Sequence, residues 1–412
     1  MTRRALGQWA GLGIARAAWG DASDADLSLF FNTMRTDEPM AQTAMREIAK
    51  SWRPSFAIMS LEMLPLTAEL PRQRLLRFLV RQTKQDFEAD PAKWSKWVWS
   101  LPYRPHAEYA KFKGILYSLI DPRMGFFFPP HVAARIRLDQ VEWGGVRVNG
   151  IPPLVRPKTL PARDASYLNE SDHVFGIEVN GEARAYPKRI LAWHEMALDR
   201  LGGLNLTVVY CTLCGTVIPY RSLEYEFGTS GLLYESSKLM FDAKTNSLWS
   251  TLHGEPVIGQ LANSGVTLEF QPVVTTTWGE WRVGHPQTSV LSLQTGYKRD
   301  YGEGVAYQDY FATEDLMFQV SRTDSRLRNK DEVLAIRLPG KKPLAFSALY
   351  LNKNPKLTYT HEGVPLEILT SPRGANRVYH GGHAGEEGER VPAYRAFWFA
   401  WYAQFPETVL MK

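Results

Sequence analysis

The chain has 412 residues, 44% of them hydrophobic and 22% charged, the composition of a globular rather than a disordered protein, and its length is too great for one compact core. Lys and Arg outnumber Asp and Glu by 48 to 43, a surplus too thin over this length to mark a nucleic-acid-binding surface. No run approaches the roughly 18 to 20 apolar residues of a membrane-spanning helix, and the 13 tryptophans and 18 tyrosines are read first as core.

The first twenty residues, MTRRALGQWAGLGIARAAWG, place Arg3 and Arg4 before a short apolar segment in the manner of a twin-arginine export signal, but Arg16 breaks that segment early. An amphipathic first helix is expected, with export as the alternative. From residue 25 to about 125 apolar residues recur at helical steps: Ala41, Ala44, Met45, Ile48 and Trp52, then Leu76, Leu79, Thr83 and Phe87, then Tyr109, Phe112, Leu116 and Leu119. Prolines at 54, 65, 71, 91, 105 and 122 punctuate them, which predicts several antiparallel helices in a short HEAT-like stack. Arg74, Arg77, Arg81 and Lys84 form a basic stripe, read as a solvated face rather than an anion or partner site.

The stretch FFFPPHVAARIRLDQVEWGGVRVNGIPPLVRPKTLP has prolines and glycines but no sustained period, so it reads as a linker. The boundary is set near residue 140, giving a helical domain over 1–140 and a β-rich domain over 141–412. Beyond it, DHVFGIEVNGEARAYP reads as a hairpin turned at Asn180-Gly181, and RILAWHEMALDRLGG as a helix closed by Gly202 and Gly203. The strand that follows runs into VVYCTLCGTVIPYR, which holds the only two cysteines, Cys211 and Cys214.

This unit occurs twice. DHVFGIEVNGEARAYPKRIL from Asp172 is echoed by DEVLAIRLPGKKPLAFSALYL from Asp331, and from Leu191 and Leu351 the copies run in register through Gly203 and Gly363 to Val208 and Ile368. WGEWRVGHPQTSVL from Trp278 matches WFAWYAQFPETVL from Trp398. The region from about 165 to 412 is thus a duplicated α+β unit, with an insertion from Ser222 to about Pro272 in its first copy. Cys211 faces Ser371, Cys214 faces Gly374, His194 faces Asn354 and His285 faces Phe405. Donors to a soft metal are therefore missing from copy two, which predicts one functional site per chain, on copy one.

Three chemistries fit a Cys-x-x-Cys-Gly turn: a metal knuckle, a dithiol redox pair and a disulfide. The residues after it, Val217, Ile218 and Pro219, read as strand, which removes the helix N-terminus that activates a redox cysteine. The expected site is a copper or zinc centre held by Cys211, Cys214 and His194, with His285 and His253 as further nitrogen donors and Met240 as a thioether donor if the metal is copper. Glu195 is the candidate general acid or base, although neighbouring helical residues point about 100° apart. Trp193, Tyr210, Tyr234, Trp249, Tyr297 and Tyr301 line an oxidative site on this reading, or else fill the core. No phosphate loop, nucleophile elbow or dinucleotide fingerprint is present.

NGEARAYPKRILAWHE, VVYCTLCGTVIPYR, FGTSGLLYESSKLMFDAKTNSLWS, TGYKRDYG and FWFAWYAQFPET together resemble the bacterial domain-of-unknown-function family 3179 over residues 141–412. Thr212 stands where that family usually has proline, and WHEMALD keeps Trp193, His194, Glu195 and Asp199 of the family's helix but lacks its asparagine. The resemblance implies a fold neighbourhood and a site but no reaction, and it implies the cell envelope or periplasm if the chain is exported, the cytoplasm otherwise. The whole reading is an α+β chain, an N-terminal HEAT-like helical domain followed by a β-rich domain with an internally duplicated unit. Its expected function is a metal-dependent oxidoreductase with one Cys2His site, acting on an unknown small molecule or polymer, with a protein partner on the helical domain. The alternative is a non-catalytic binding or scaffold protein whose cysteines form a zinc knuckle or a disulfide.

Overall fold

The computed structural model describes residues 26–381 and 388–412, so the twin-arginine-like start lies outside the described residues. These residues fall into two compact units that part between Gln85 and Asp86. The first holds helices Leu27–Thr33, Glu38–Lys50, Ser55–Met63 and Glu69–Thr83. Their starts are set locally: Asp26 and Asp37 accept hydrogen bonds from the Ser28 and Met40 N–H groups at 2.7 and 3.0 Å, and Pro39 sits in the first turn of the second helix. Ala41, Ala44, Met45 and Ile48 are buried as their spacing predicts. On Glu69–Thr83 the buried row is Pro71, Leu75, Phe78 and Leu79, shifted from the expected Leu76, Leu79 and Thr83. Phe78 meets Trp52 edge-on at 5.6 Å, and this aromatic pair sets the inward face.

The second unit opens with helices Pro91–Ser100 and Tyr109–Ser118, and its first strand begins at Val141. Tyr109, Phe112 and Leu116 are buried, whereas Leu119 lies past the end of the helix and is exposed. Five small sheets follow among the described residues, so the chain is α+β, with helices first and β-rich structure beyond. The stretch that reads as a linker supplies edge strands to three different sheets, through Val141–Trp143, Leu154–Val155 and Thr159–Pro161. Strands of two or three residues are too short to show a period of two. Among the described residues no helix is long and apolar enough to cross a membrane.

The duplication is visible in the strand order. In copy one, Val273–Thr277, His173–Val179, Glu182–Pro187 and Ser289–Leu291 lie side by side, the last pair parallel and the others antiparallel. Copy two repeats this with Ala393–Phe397, Glu332–Ile336, Leu344–Ser347 and Val409–Met411. A three-stranded meander follows in each: Met196–Leu201, Leu204–Cys211 and Thr216–Arg221, then Lys356–His361, Val364–Thr370 and Asn376–His380. The insertion in copy one forms four strands, Phe227–Tyr234, Ser237–Asp242, Leu248–Ser250 and Glu255–Ile258, joined at one edge by Val141–Trp143.

One predicted element changes type. The helix expected to run to Gly203 stops at His194, Glu195 takes a left-handed backbone (φ 55°), and Met196–Leu201 pairs along its length with Leu204–Cys211. Gly202 and Gly203 (φ 54° and 82°) therefore turn a hairpin instead of closing a helix, and a Cβ on Gly202 would come within 2.1 Å of the Val179 carbonyl oxygen. Pairing with the cysteine strand overrides a helical pattern that the residues alone suggest.

Candidate functional site

Cys211 ends its strand opposite Thr216, and Thr212–Gly215 make the turn between them. The Cys214 N–H bonds the Cys211 carbonyl at 3.1 Å, and Gly215 takes φ 61° with the ring of Phe397 so close that a Cβ would meet it at 2.9 Å. The turn brings the two Cα atoms to 5.3 Å, and the cysteines form a disulfide. Both are buried, with Ser237 Oγ 3.3 Å from Cys214 Sγ, the Tyr310 hydroxyl donating to the Leu213 carbonyl at 2.8 Å and the Phe397 N–H donating to the Cys214 carbonyl at 2.8 Å.

This overturns the expected metal centre and the metal-dependent function built on it. The cysteines are bonded to each other, and among the described residues no group of three or more His, Cys, Asp or Glu side chains is placed to hold a metal ion. His194, the expected third ligand, has both ring nitrogens engaged: Nδ1 lies 2.9 Å from the Pro152 carbonyl and Nε2 lies 2.6 Å from the Tyr301 hydroxyl, which also lies 2.7 Å from Thr295 Oγ1. A carbonyl can only accept, so Nδ1 carries the proton and Nε2 accepts from Tyr301. Burial pushes the imidazole below its ordinary pKa, which favours this neutral form.

His285 stands elsewhere, stacked on Trp281 at 3.7 Å with Nε2 3.3 Å from Glu178. Its counterpart Phe405 packs at a tilt on Trp401 at 4.2 Å, and in both copies the tryptophan N–H donates to a threonine hydroxyl at 2.9 Å, Thr288 or Thr408. The histidine is one solution to covering that indole, which explains why copy two has phenylalanine. His253 packs at a tilt on Phe405 at 4.5 Å, and Met240 is fully buried in the core. Of the aromatics expected around an oxidative site, Tyr210 and Trp249 are core, while Tyr301 and Tyr297 reach His194.

Glu195 points into a different network from its neighbour His194. Its carboxylate is buried, with Lys238 Nζ 2.6 Å from Oε2 and the Tyr307 hydroxyl donating to Oε1 at 3.0 Å. Lys238 Nζ also donates to the Glu195 and Tyr210 carbonyls, both at 3.1 Å. Burial lowers the lysine pKa, opposed by the Glu195 charge, and burial beside that same charge raises the Tyr307 hydroxyl. The cluster closes one end of a cavity of ≈ 60 Å³ whose other walls include Ile151, Leu213, Leu232 and Phe318. Leu213, between the two cysteines, joins the disulfide turn to this cavity.

Lys238 and Tyr307 are the residues that sequence reasoning missed. Lys238 sits in a strand among Ser237, Leu239 and Met240, where nothing marks a lysine as buried, and Tyr307 follows a loop whose path only the fold supplies. No curated protein and no solved structure matches the chain. His194, Glu195, both cysteines, Lys238, Tyr301 and Tyr307 all lie within residues 148–382, which match the family model described as Protein of unknown function (DUF3179); the match spans more than half of the chain, which belongs to that family.

Proposed function

We propose that the β-rich region is a small-molecule-binding protein, in which Glu195, with Lys238 and Tyr307, holds and exchanges a proton with what enters the cavity beside the disulfide. One observation carries this reading: the buried Glu195–Lys238 pair and the half-buried Tyr307 hydroxyl converge at the end of a mostly apolar cavity. Glu195 and Tyr307 both have left-handed backbones (φ 55° and 60°), a cost that tends to persist where function holds it. Copy two has Pro355 where copy one has Glu195, so the shared scaffold does not need the acid. The cavity suits a compact molecule with an apolar body and one polar group able to share a proton.

A second reading has its own observation. All three Lys238 N–H groups are satisfied within the protein, so the cluster also works as a brace between the helix end at Glu195 and the strand end at Tyr210. The two readings part on Glu195→Gln, which keeps the shape and removes the charge. In an NMR screen of small amide, phenol and carboxylic acid fragments, the binding reading expects hits that shift resonances around Leu213 and Phe318 and weaken about tenfold or more in Glu195→Gln. Fragments that bind the variant equally, or no hits at all, would leave only the brace.

A further inference from the structure

A second, larger pocket of ≈ 480 Å³ lies within the Asp86–Lys412 unit, and its walls are mostly polar. Most of its charge is already neutralised. Arg137 is 2.8 Å from Asp139, Arg135 is 2.8 Å from Glu255, and buried Glu235 accepts from the N–H of Ser321 at 2.7 Å and from its hydroxyl. Four polar groups that line it form no hydrogen bond or ion pair with the described residues: the Gln140 carboxamide, the Tyr234 hydroxyl, the His253 imidazole and the exposed Arg322 guanidinium. Gln140 is only 9% exposed, and the His253 ring packs at a tilt of 31° against Phe405. Groups so placed ordinarily find partners, so donors and acceptors without them on one pocket wall describe the ligand they await.

We infer that this pocket is a binding site for a hydroxylated small molecule carrying one carboxylate or phosphate group, with the anion on Arg322 and the hydroxyls on Gln140, Tyr234 and His253. Arg322 is the one arginine of the lining with no carboxylate within ion-pair distance, although the charge of Glu235 acts on it, and its planar fork matches either anion with two parallel hydrogen bonds. Burial beside Arg337 and Arg135 pushes His253 down to about 3, so at neutral pH its ring offers one donor and one acceptor, as hydroxyl recognition requires.

Isothermal titration of the full chain with D-glucuronate, glucose 6-phosphate and glucose tests this. At least one anionic sugar should bind about tenfold or more tightly than glucose, and the comparison between the two anions identifies the preferred group. Arg322→Ala, at an exposed position with no internal partner, should bring that preference to within about twofold, and Arg322→Lys should keep part of it, as a point charge without the fork. Failure of all three sugars to bind, equal binding of glucose and the anions, or a preference that survives Arg322→Ala would each overturn the assignment.

Discussion

The two copies of the duplicated unit share their strands and differ in what fills the joint between their sheets. In copy one, Arg184 Nη1 and the Tyr186 hydroxyl both reach Asp199 Oδ2, at 2.7 and 2.8 Å. Copy two has Leu344, Phe346 and Tyr359 at the equivalent positions, and Phe346 meets Tyr359 edge-on at 5.4 Å. Glu195 becomes Pro355, and the disulfide turn becomes a serine turn one residue longer, since Thr370 rather than Ser371 pairs with Asn376. There the Ser371 N–H bonds the Ala375 carbonyl at 2.8 Å, and Ser371 Oγ accepts from the Ala375 N–H at 3.0 Å. Copy two demonstrates that apolar packing and local hydrogen bonds suffice for this architecture. Buried ion pairs are weak sources of net stability, and between the two copies, among the described residues, the pairs buried on both sides lie in copy one, which argues for use rather than construction.

That contrast breaks most visibly at Lys238. Lys238→Met leaves the Glu195 carboxylate buried without its cation, and unfolding in urea should show a loss of about 3–5 kcal/mol. The double variant Glu195→Gln with Lys238→Met, which makes copy one resemble copy two, should recover much of it. A double variant no more stable than the single one would mean that copy one needs the ion pair as architecture.

The cysteine turn gives a smaller effect. Replacing Cys211 and Cys214 by serine opens a very short loop, for which chain entropy predicts a loss of about 2 kcal/mol. The β-rich region should still fold, since Ser371 closes the matching turn by hydrogen bonds alone. Loss of cooperative unfolding in this variant would show that the disulfide organises more than its own turn.

The smallest effect is expected at the matched stacks. His285→Phe installs in copy one the ring that copy two uses over Trp401, and its stability should lie within about 1 kcal/mol of the parent by thermal melting. A larger loss would point to the 3.3 Å contact between His285 and Glu178 as the reason for histidine.

What the residues determine by themselves is local or periodic. Helical spacing and caps placed the early helices, Asn180-Gly181 placed a hairpin whose Val179 and Glu182 do pair, and the two ordered echoes disclosed the duplication. Each of these signals lies within a few residues, or repeats at a fixed offset, so no long-range partner has to be known. The candidate site was legible only as a neighbourhood: Glu195 and the cysteine turn are there, but their chemistry follows from groups far along the chain. Lys238 lies 43 residues after Glu195 and Tyr307 lies 112 after it, and only the folded sheets bring them together. The fate of Cys211 and Cys214 was equally a tertiary decision. A Cys-x-x-Cys turn presents the same geometry to a metal or to itself, and the folded surroundings decide by supplying further ligands or withholding them. Here they withhold them, because Tyr301 and Pro152 take His194, Trp281 takes His285, and the two sulfurs are left to each other.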